Sequence, residues 1–185
     1  MSHRNDRAIG IATCQTAFGW VGIAWSGRGL AATTLPKGTE AEALALLPPL
    51  SGPTPKPPQG LDVPALLDKL RRYFEGEWVT FDEPLDPTIG TGFYRRVWAL
   101  TRDIPRGQTR TYGQIARAAL SLDGARAVGQ AMARNPWPII VPCHRVLGSD
   151  GSLTGFGGGV DMKRSMLQLE GAPVESQQLL NGFQT

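Results

Sequence analysis

In the stretch IIVPCHRVLGSDG, Ile139 to Gly151, Cys143 stands between a proline and His144, the only histidine in the chain interior. A thiol with an ordinary pKa of about 8.5 is mostly protonated at neutral pH, so a nucleophilic role needs an adjacent base or a positive field. His144 is the obvious base. Consecutive side chains of an extended segment point to opposite faces, so either the chain turns between the two or a water carries the proton. The competing chemistry for Cys with His is zinc. Structural zinc takes four ligands, usually as spaced pairs, whereas the inventory here is His3, Cys14, Cys143 and His144, two of them adjacent. No metal is expected. A lone buried cysteine is also commonly inert packing, so the neighbours must decide.

Two neighbouring features are odd under a purely structural reading. GSLTGFGGG, Gly151 to Gly159, holds five glycines in nine residues, so a loop there passes close to something. It lacks the GK[ST] ending of a phosphate-binding loop. Asp161 to Glu170 then reads as a helix with Met162, Met166 and Leu169 inward and Gly171 as its cap. Glu170 falls in the last turn, where a negative charge opposes the helix dipole at a cost of roughly 0.3–1 kcal/mol. A solvated surface Glu is the commoner explanation, but a locally unfavourable charge is where function is sought.

The elements that must position these groups are mainly helical. Phe93, Val97 and Leu100 form an apolar stripe, and Pro105 ends that helix. Thr111-Tyr112-Gly113-Gln114 fits a capping box that starts a helix with Ile115, Ala116 and Ala119 inward. After a turn at Ser121 to Gly124, a second helix runs from Gly124 to Arg134, making a helix-turn-helix candidate. Its expected buried row is Ala125, Val128 and Met132, while Arg126, Gln130 and Arg134 line another side. Ala125, Ala127 and Gly129 keep this helix slim, which suits either close packing or approach to a minor groove only about 6 Å wide. Pro136, Pro138 and Pro142 predict an extended, stiff segment leading to Cys143. In the first half, CQTAFGWVGIAWSGRGLAATTL reads as short strands around a turn at Ser26 to Gly29. Helices follow at Glu40 to Leu47 and Pro64 to Phe74, separated by a proline-rich loop, then a strand at Trp78 to Phe81 and a linker at PLDPTIGTG. The fold class is α+β, with domains at 1–88 and 89–185.

The whole chain bounds the possibilities. At 185 residues, 41% hydrophobic and 19% charged, it is a folding globular chain. The start MSHRNDR is polar, and apolar runs such as WPIIV are far too short to cross a bilayer. Two distant cysteines make no disulfide framework, which fits reduced thiols in a cytoplasm. Residues 1–90 hold eight Lys/Arg against ten Asp/Glu, and residues 91–185 eleven against six. Ten of those eleven are arginines, suited to forked contacts with phosphate, although an ordinary basic surface would look the same.

PCHRV, with TYGQIA and RAVGQAMARNP upstream and TGFGGGVDMKRSMLQLEGA downstream, closely resembles the O6-alkylguanine-DNA alkyltransferases, the methylated-DNA–protein-cysteine methyltransferases, in their bacterial form. The resemblance is strong from Tyr73 to Ala172, and the strand-rich start with YFEGEWVTF fits the family's ribonuclease-H-like N-terminal domain. It implies that Cys143 accepts the alkyl group irreversibly, with His144 as base through water and Glu170 polarising it. Asn135 would brace the active segment, and Tyr112 would hydrogen-bond guanine at N3. Arg126 would fill the stack left by the flipped nucleotide, with Ala125, Ala127, Gly129 and Thr111 also against DNA. Val146, Ser149, Phe156 and Gly157 would line the base pocket. The implied partner is double-stranded DNA carrying O6-alkylguanine, with O4-alkylthymine as a further candidate lesion, no cofactor and a monomeric protein. Phe156 stands where tyrosine is common, Tyr94 where many members have glutamine, and Gly157 where serine or alanine is frequent. These departures imply a roomier pocket. Two rivals are weighed: a sensor of the same fold lacking the acceptor cysteine, which Cys143 opposes, and a thiol hydrolase, which leaves Arg126 and the helix pair unexplained.

Overall fold

A computed structural model describes residues 9–49, 55–120 and 124–173. The fold is mixed α/β and packs as two units: residues 1–95 with 134–141, and residues 96–133 with 142–185. An eight-residue segment, residues 134–141, belongs with the first of these units.

In the first unit, β1 (Gly10–Thr16), β2 (Gly19–Ser26) and β3 (Gly29–Thr33) form an antiparallel meander in the order β1-β2-β3. Its residues are β-branched, aromatic and small, as a half-buried pleated surface requires. Helix α1 (Glu40–Ala45) starts on a capping box between Thr39 and Glu42. Helix α2 (Val63–Phe74) has Asp62 as N-cap and a proline in its first turn, and buries Leu66, Leu70, Tyr73 and Phe74. The outer edge of β3 is covered rather than open. Leu30 N–H donates to Pro84 O (2.7 Å), and Asp86 N–H donates to Leu30 O (2.9 Å). A side chain at Gly29 would meet Asp86 N at 2.6 Å, so only glycine permits this approach. Farther along, Thr33 N–H donates to Pro136 O (2.8 Å), Thr33 Oγ1 to Pro138 O (2.6 Å) and Trp137 Nε1 to Leu30 O (2.7 Å).

Two expectations for this unit are corrected. The strand at Trp78 to Phe81 does not form; residues 77–84 carry no ladder, and Leu85 makes the bridge to Leu30 instead. Phe81 is held by its ring against Tyr73, 5.8 Å between centroids, while Trp78 is largely exposed. Side-chain packing, not strand pairing, accommodates Phe81. Nor is the proline-rich segment before Cys143 extended. Residues 136–141 turn repeatedly, with Val141 N–H donating to Trp137 O (2.8 Å), and Ile139 adopts φ 78°. Asn135 closes the turn from both sides: its Nδ2 donates to Val141 O (2.8 Å), and its Oδ1 accepts from Trp137 N–H (3.0 Å).

In the second unit, a two-stranded parallel pair joins β4 (Arg110–Thr111) to β5 (Val146–Leu147). The helices are α3 (Gly92–Arg102), which straddles the division, α4 (Tyr112–Ala118), α5 (Gly124–Ala133) and α6 (Gly159–Leu169). The capping box of α4 forms: Gln114 N–H donates to Thr111 Oγ1 (3.1 Å), and Thr111 N–H donates to Gln114 Oε1 (2.7 Å). The turn expected at Ser121 to Gly124 lies largely outside the described residues.

Helix faces shift by a residue or so from the expected stripes. In α3 the buried set is Val97, Trp98 and Thr101, because Trp98 Nε1 donates to Ala131 O (2.8 Å) and Thr101 Oγ1 back-bonds to Val97 O (2.8 Å). In α5, Ala131 joins Val128 and Met132 in the core, and Ala125 is exposed. In α6, Lys163, Met166 and Leu167 are buried, whereas Met162 and Leu169 are only half-buried.

Candidate active site

Cys143 opens a single turn of 3-10 helix, Cys143–Arg145, that Arg145 N–H starts by donating to Pro142 O (2.9 Å) and Val146 N–H closes by donating to Cys143 O. The chain therefore turns between the cysteine and the histidine. Cys143 keeps 9% of its surface exposed, whereas His144 keeps none.

Behind the turn lies the C-terminus of α6. His144 Nε2 and Glu170 Oε1 are 2.9 Å apart, both side chains inaccessible to solvent. Arg145 forks onto the same carboxylate, with Nε donating to Oε2 and Nη2 to Oε1, each at 2.8 Å, while its Nη1 donates to Ile104 O. Arg106 Nη2 donates to Leu169 O (2.8 Å), and Gly171 follows with φ 73°. Two arginines thus offset the cost of placing Glu170 at the negative end of a helix dipole.

The charge states follow from burial and partners. Burial alone would raise the Glu170 pKa, but hydrogen bonds and charge from His144 and Arg145 outweigh it and hold the carboxyl well below the usual carboxylate range. Burial pushes the His144 imidazole down. Glu170 opposes that shift, and the charges of Arg145 and Lys163 add to it. Burial, with the charge of Arg145 adding to it, thus works against the standing imidazolium that a bare Glu–His pair would favour. A neutral imidazole backed by a carboxylate can accept a proton and then be stabilised once it has done so.

A second cluster lies beside the first. Tyr112 Oη donates to Thr154 O (3.3 Å), and burial, then the charge of Cys143, raises its pKa. Lys163 Nζ donates to Val146 O (2.6 Å) and Thr154 O (3.1 Å), and lies 5.9 Å from the centre of the Tyr112 ring.

Of the residues singled out from sequence, Cys143, His144 and Glu170 come together in one turn and one helix end, and Tyr112 and Val146 belong to the adjoining cluster. Asn135 holds the turn that precedes Pro142 and Cys143 in the chain. Arg126 is exposed on α5, Ala127 and Gly129 are half-buried, and a Cβ built at Gly129 would meet nothing within 4 Å. Internal packing therefore does not demand a glycine there. Arg134 lies just past the helix and donates to Tyr94 Oη, its guanidinium 5.7 Å from the ring centre. Ser149 and Gly157 are exposed and Phe156 is half-buried in the Gly-rich segment.

Sequence reasoning missed Arg145 and Lys163. The first signal was present: an arginine directly after the histidine, facing an acid in the next helix. The second was the register Lys163, Met166, Leu167, Glu170, which puts a cation and an anion on one helix face.

A thiol ahead of a buried imidazole–carboxylate pair is an arrangement that cysteine-dependent transferases and hydrolases use. Residues 92–172 match the family described as 6-O-methylguanine DNA methyltransferase, DNA binding domain. A methylated-DNA–protein-cysteine methyltransferase of Mycobacterium bovis is 52% identical over 104 residues, which is 56% of this chain and 62% of that protein. The chain thus spans less than two thirds of the length of that relative. The solved O6-methylguanine methyltransferase of Mycobacterium tuberculosis is 39% identical with a TM-score of 0.69, covering 90% of this chain and 96% of its own. A structure of Mycobacterium tuberculosis OGT in complex with DNA is likewise 39% identical with a TM-score of 0.69, covering 88% of this chain and 94% of its own. The chain belongs to the methylated-DNA–protein-cysteine methyltransferase family.

The charge states give a pH signature. Glu170 has a depressed folded pKa, so its contribution is present above its ordinary value of about 4.3 and is lost as pH falls below it. His144 is held neutral, so an unfolded chain takes a proton near pH 6.5 that the folded one resists, and stability declines there too. We expect Glu170→Gln to cost about 3–5 kcal/mol near neutral pH by stranding Arg145, and to flatten the loss below about pH 4.3. Urea unfolding from pH 8 to 3 measures both, and a variant curve parallel to the parent's at every pH would refute the assignment.

Proposed function

We propose that the protein repairs alkylated DNA by moving the alkyl group from O6 of guanine to Cys143 Sγ in one irreversible, stoichiometric step. The observation that carries this reading is the buried His144–Glu170 pair at 2.9 Å, directly behind a cysteine that keeps some surface. Glu170 occupies Nε2, so the imidazole exchanges protons with the thiol through Nδ1, by way of a water. As the thiolate attacks, the S–C bond forms and the O6–C bond breaks with its electron pair remaining on guanine. The thiol proton passes through His144 and ends on the restored guanine, which remains part of the DNA. Tyr112 donates to guanine N3 as charge builds there, and Asn135 braces the segment that carries the thiol.

The reacting carbon is inaccessible in a stacked duplex, so the nucleotide must be extruded at a cost of a few kcal/mol. In this reading α4 and α5 are a helix-turn-helix whose second helix enters the minor groove, with Thr111 at the start of α4 also against DNA. The small residues Ala125, which is exposed, and Gly129, half-buried one turn on, support close approach, with Ala127 also small, and Arg126 occupies the vacated stack. Val146, Ser149, Phe156 and Gly157 line the pocket for the flipped base. The first unit is the family's ribonuclease-H-like domain, and the protein acts as a monomer.

Mass measurement after incubation with O6-methylguanine duplex DNA tests the reaction. We expect one methylene per protein, on the Cys143 peptide, with DNA binding retained and transfer abolished in Cys143→Ala. Tight binding without a mass gain would indicate a sensor, and multiple turnovers a hydrolase. Arg126→Ala should slow repair of duplexes at least tenfold more than attack on the free modified base; equal losses would remove Arg126 from the flipping step. A side chain at Gly157 would meet nothing within 4 Å, and this openness supports acceptance of bulky lesions. Benzyl transfer should therefore run within about tenfold of methyl transfer, and a strong preference for methyl in paired single-turnover assays would contradict the roomy pocket.

A further inference from the structure

Beside the acceptor lies a cation that the mechanism above leaves unused. Lys163 sits in mid-helix on α6 with no exposed surface. Lysine is almost never fully buried unless paired, and both hydrogen bonds of this ammonium run to carbonyl oxygens, which carry no net charge. The identity of those carbonyls is informative. Val146 is the residue whose N–H closes the turn beginning at Cys143. Thr154 belongs to the Gly-rich segment, and its oxygen also accepts from Tyr112 Oη. One ammonium therefore ties together the acceptor turn, the loop and the aromatic ring of α4.

The charged and titratable groups around it point the same way. Burial lowers the Lys163 pKa to about 8, and the charge of Cys143 works against that lowering. Tyr112 faces it from α4, and the Lys163 charge also disfavours protonation of His144. Glu170 is already matched by the fork of Arg145. Among the described residues, an anionic sulfur at Cys143 is the remaining complement.

We propose that Lys163 is a positioning residue for the alkyl acceptor: its ammonium is the counter-charge of the Cys143 thiolate and fixes the turn at Val146 and the loop at Thr154 around that sulfur. The idea rests on Cys143 being the acceptor, yet it can be tested without DNA. In a Cys14→Ser background, the rate of Cys143 with iodoacetamide is followed from pH 5 to 10. Lys163→Met should move the midpoint of that profile upward, slowing the reaction about tenfold at pH 6–7, while Lys163→Arg recovers much of the parent profile. Superimposable profiles for the parent and Lys163→Met would overturn the proposal, as would an equal shift in Lys163→Arg. If the methionine variant fails to fold, the parent decides. Lysine side-chain NMR should show the Lys163 titration midpoint falling by about half a pH unit or more once Cys143 is capped by iodoacetamide, because the cap removes the anion. An unmoved midpoint would refute the pairing. Since neither experiment uses alkylated DNA, failure of alkyl transfer in the mass assay and failure of this pairing remain separate results.

Discussion

The site depends on one carboxylate shared by a guanidinium and an imidazole. Glu170 is desolvated at the end of α6, and a buried charge is tolerable only with partners in good geometry. Arg145 supplies two of them in a fork, and His144 supplies the third through an oxygen that the arginine already holds. The result is a carboxylate that stays ionised without forcing a proton onto the imidazole. With Lys163 added, the fixed charges around the turn leave one positive charge in excess. A thiolate formed at Cys143 would complete that balance.

Local structure serves this arrangement at each step. The 3-10 turn swings His144 inward directly after Cys143, which resolves the opposed-faces problem that consecutive residues in a strand would pose. Gly171 and Arg106 finish α6 so that Glu170 points back at the turn instead of out to solvent. The short β4–β5 pair holds Thr111 against Leu147, placing the start of α4 beside the exit of the turn, and Tyr112 follows at once.

Much of this was legible in the residues themselves. The short strands around the Ser26 to Gly29 turn, the capping box at Thr111 and the helices carrying Tyr112, Arg126 and Glu170 follow from turn residues, caps and apolar periodicity, whereas the box between Thr39 and Glu42 went unread. Cys143 and His144 stood out because chemistry needs that pair. What periodicity could not give was the rotation of each helix. In α3 and α6 the inward face is set by a polar group that finds a buried partner, Thr101 with its own backbone and Lys163 with two carbonyls, and hydrophobicity scoring turns both outward. The aromatics at Trp78 and Phe81 suggested a strand, but the edge that could have received them was already taken by Leu85. The prolines before Cys143 were read as stiffness alone. Their carbonyls, which still accept hydrogen bonds, made Pro136 and Pro138 docking points for Thr33.

That docking has a bearing on how the chain can be divided. Trp137, Ile139, Ile140 and Val141 are buried, and the anchors of their segment are Leu30 and Thr33 of the meander. A cut after residue 88 would bare these four apolar side chains to water and strip the preceding carbonyls of their donors. The sheet at the start of the chain is therefore the cradle of a strap from its far half, and the acceptor cysteine follows five residues beyond Pro138, the last of these knots.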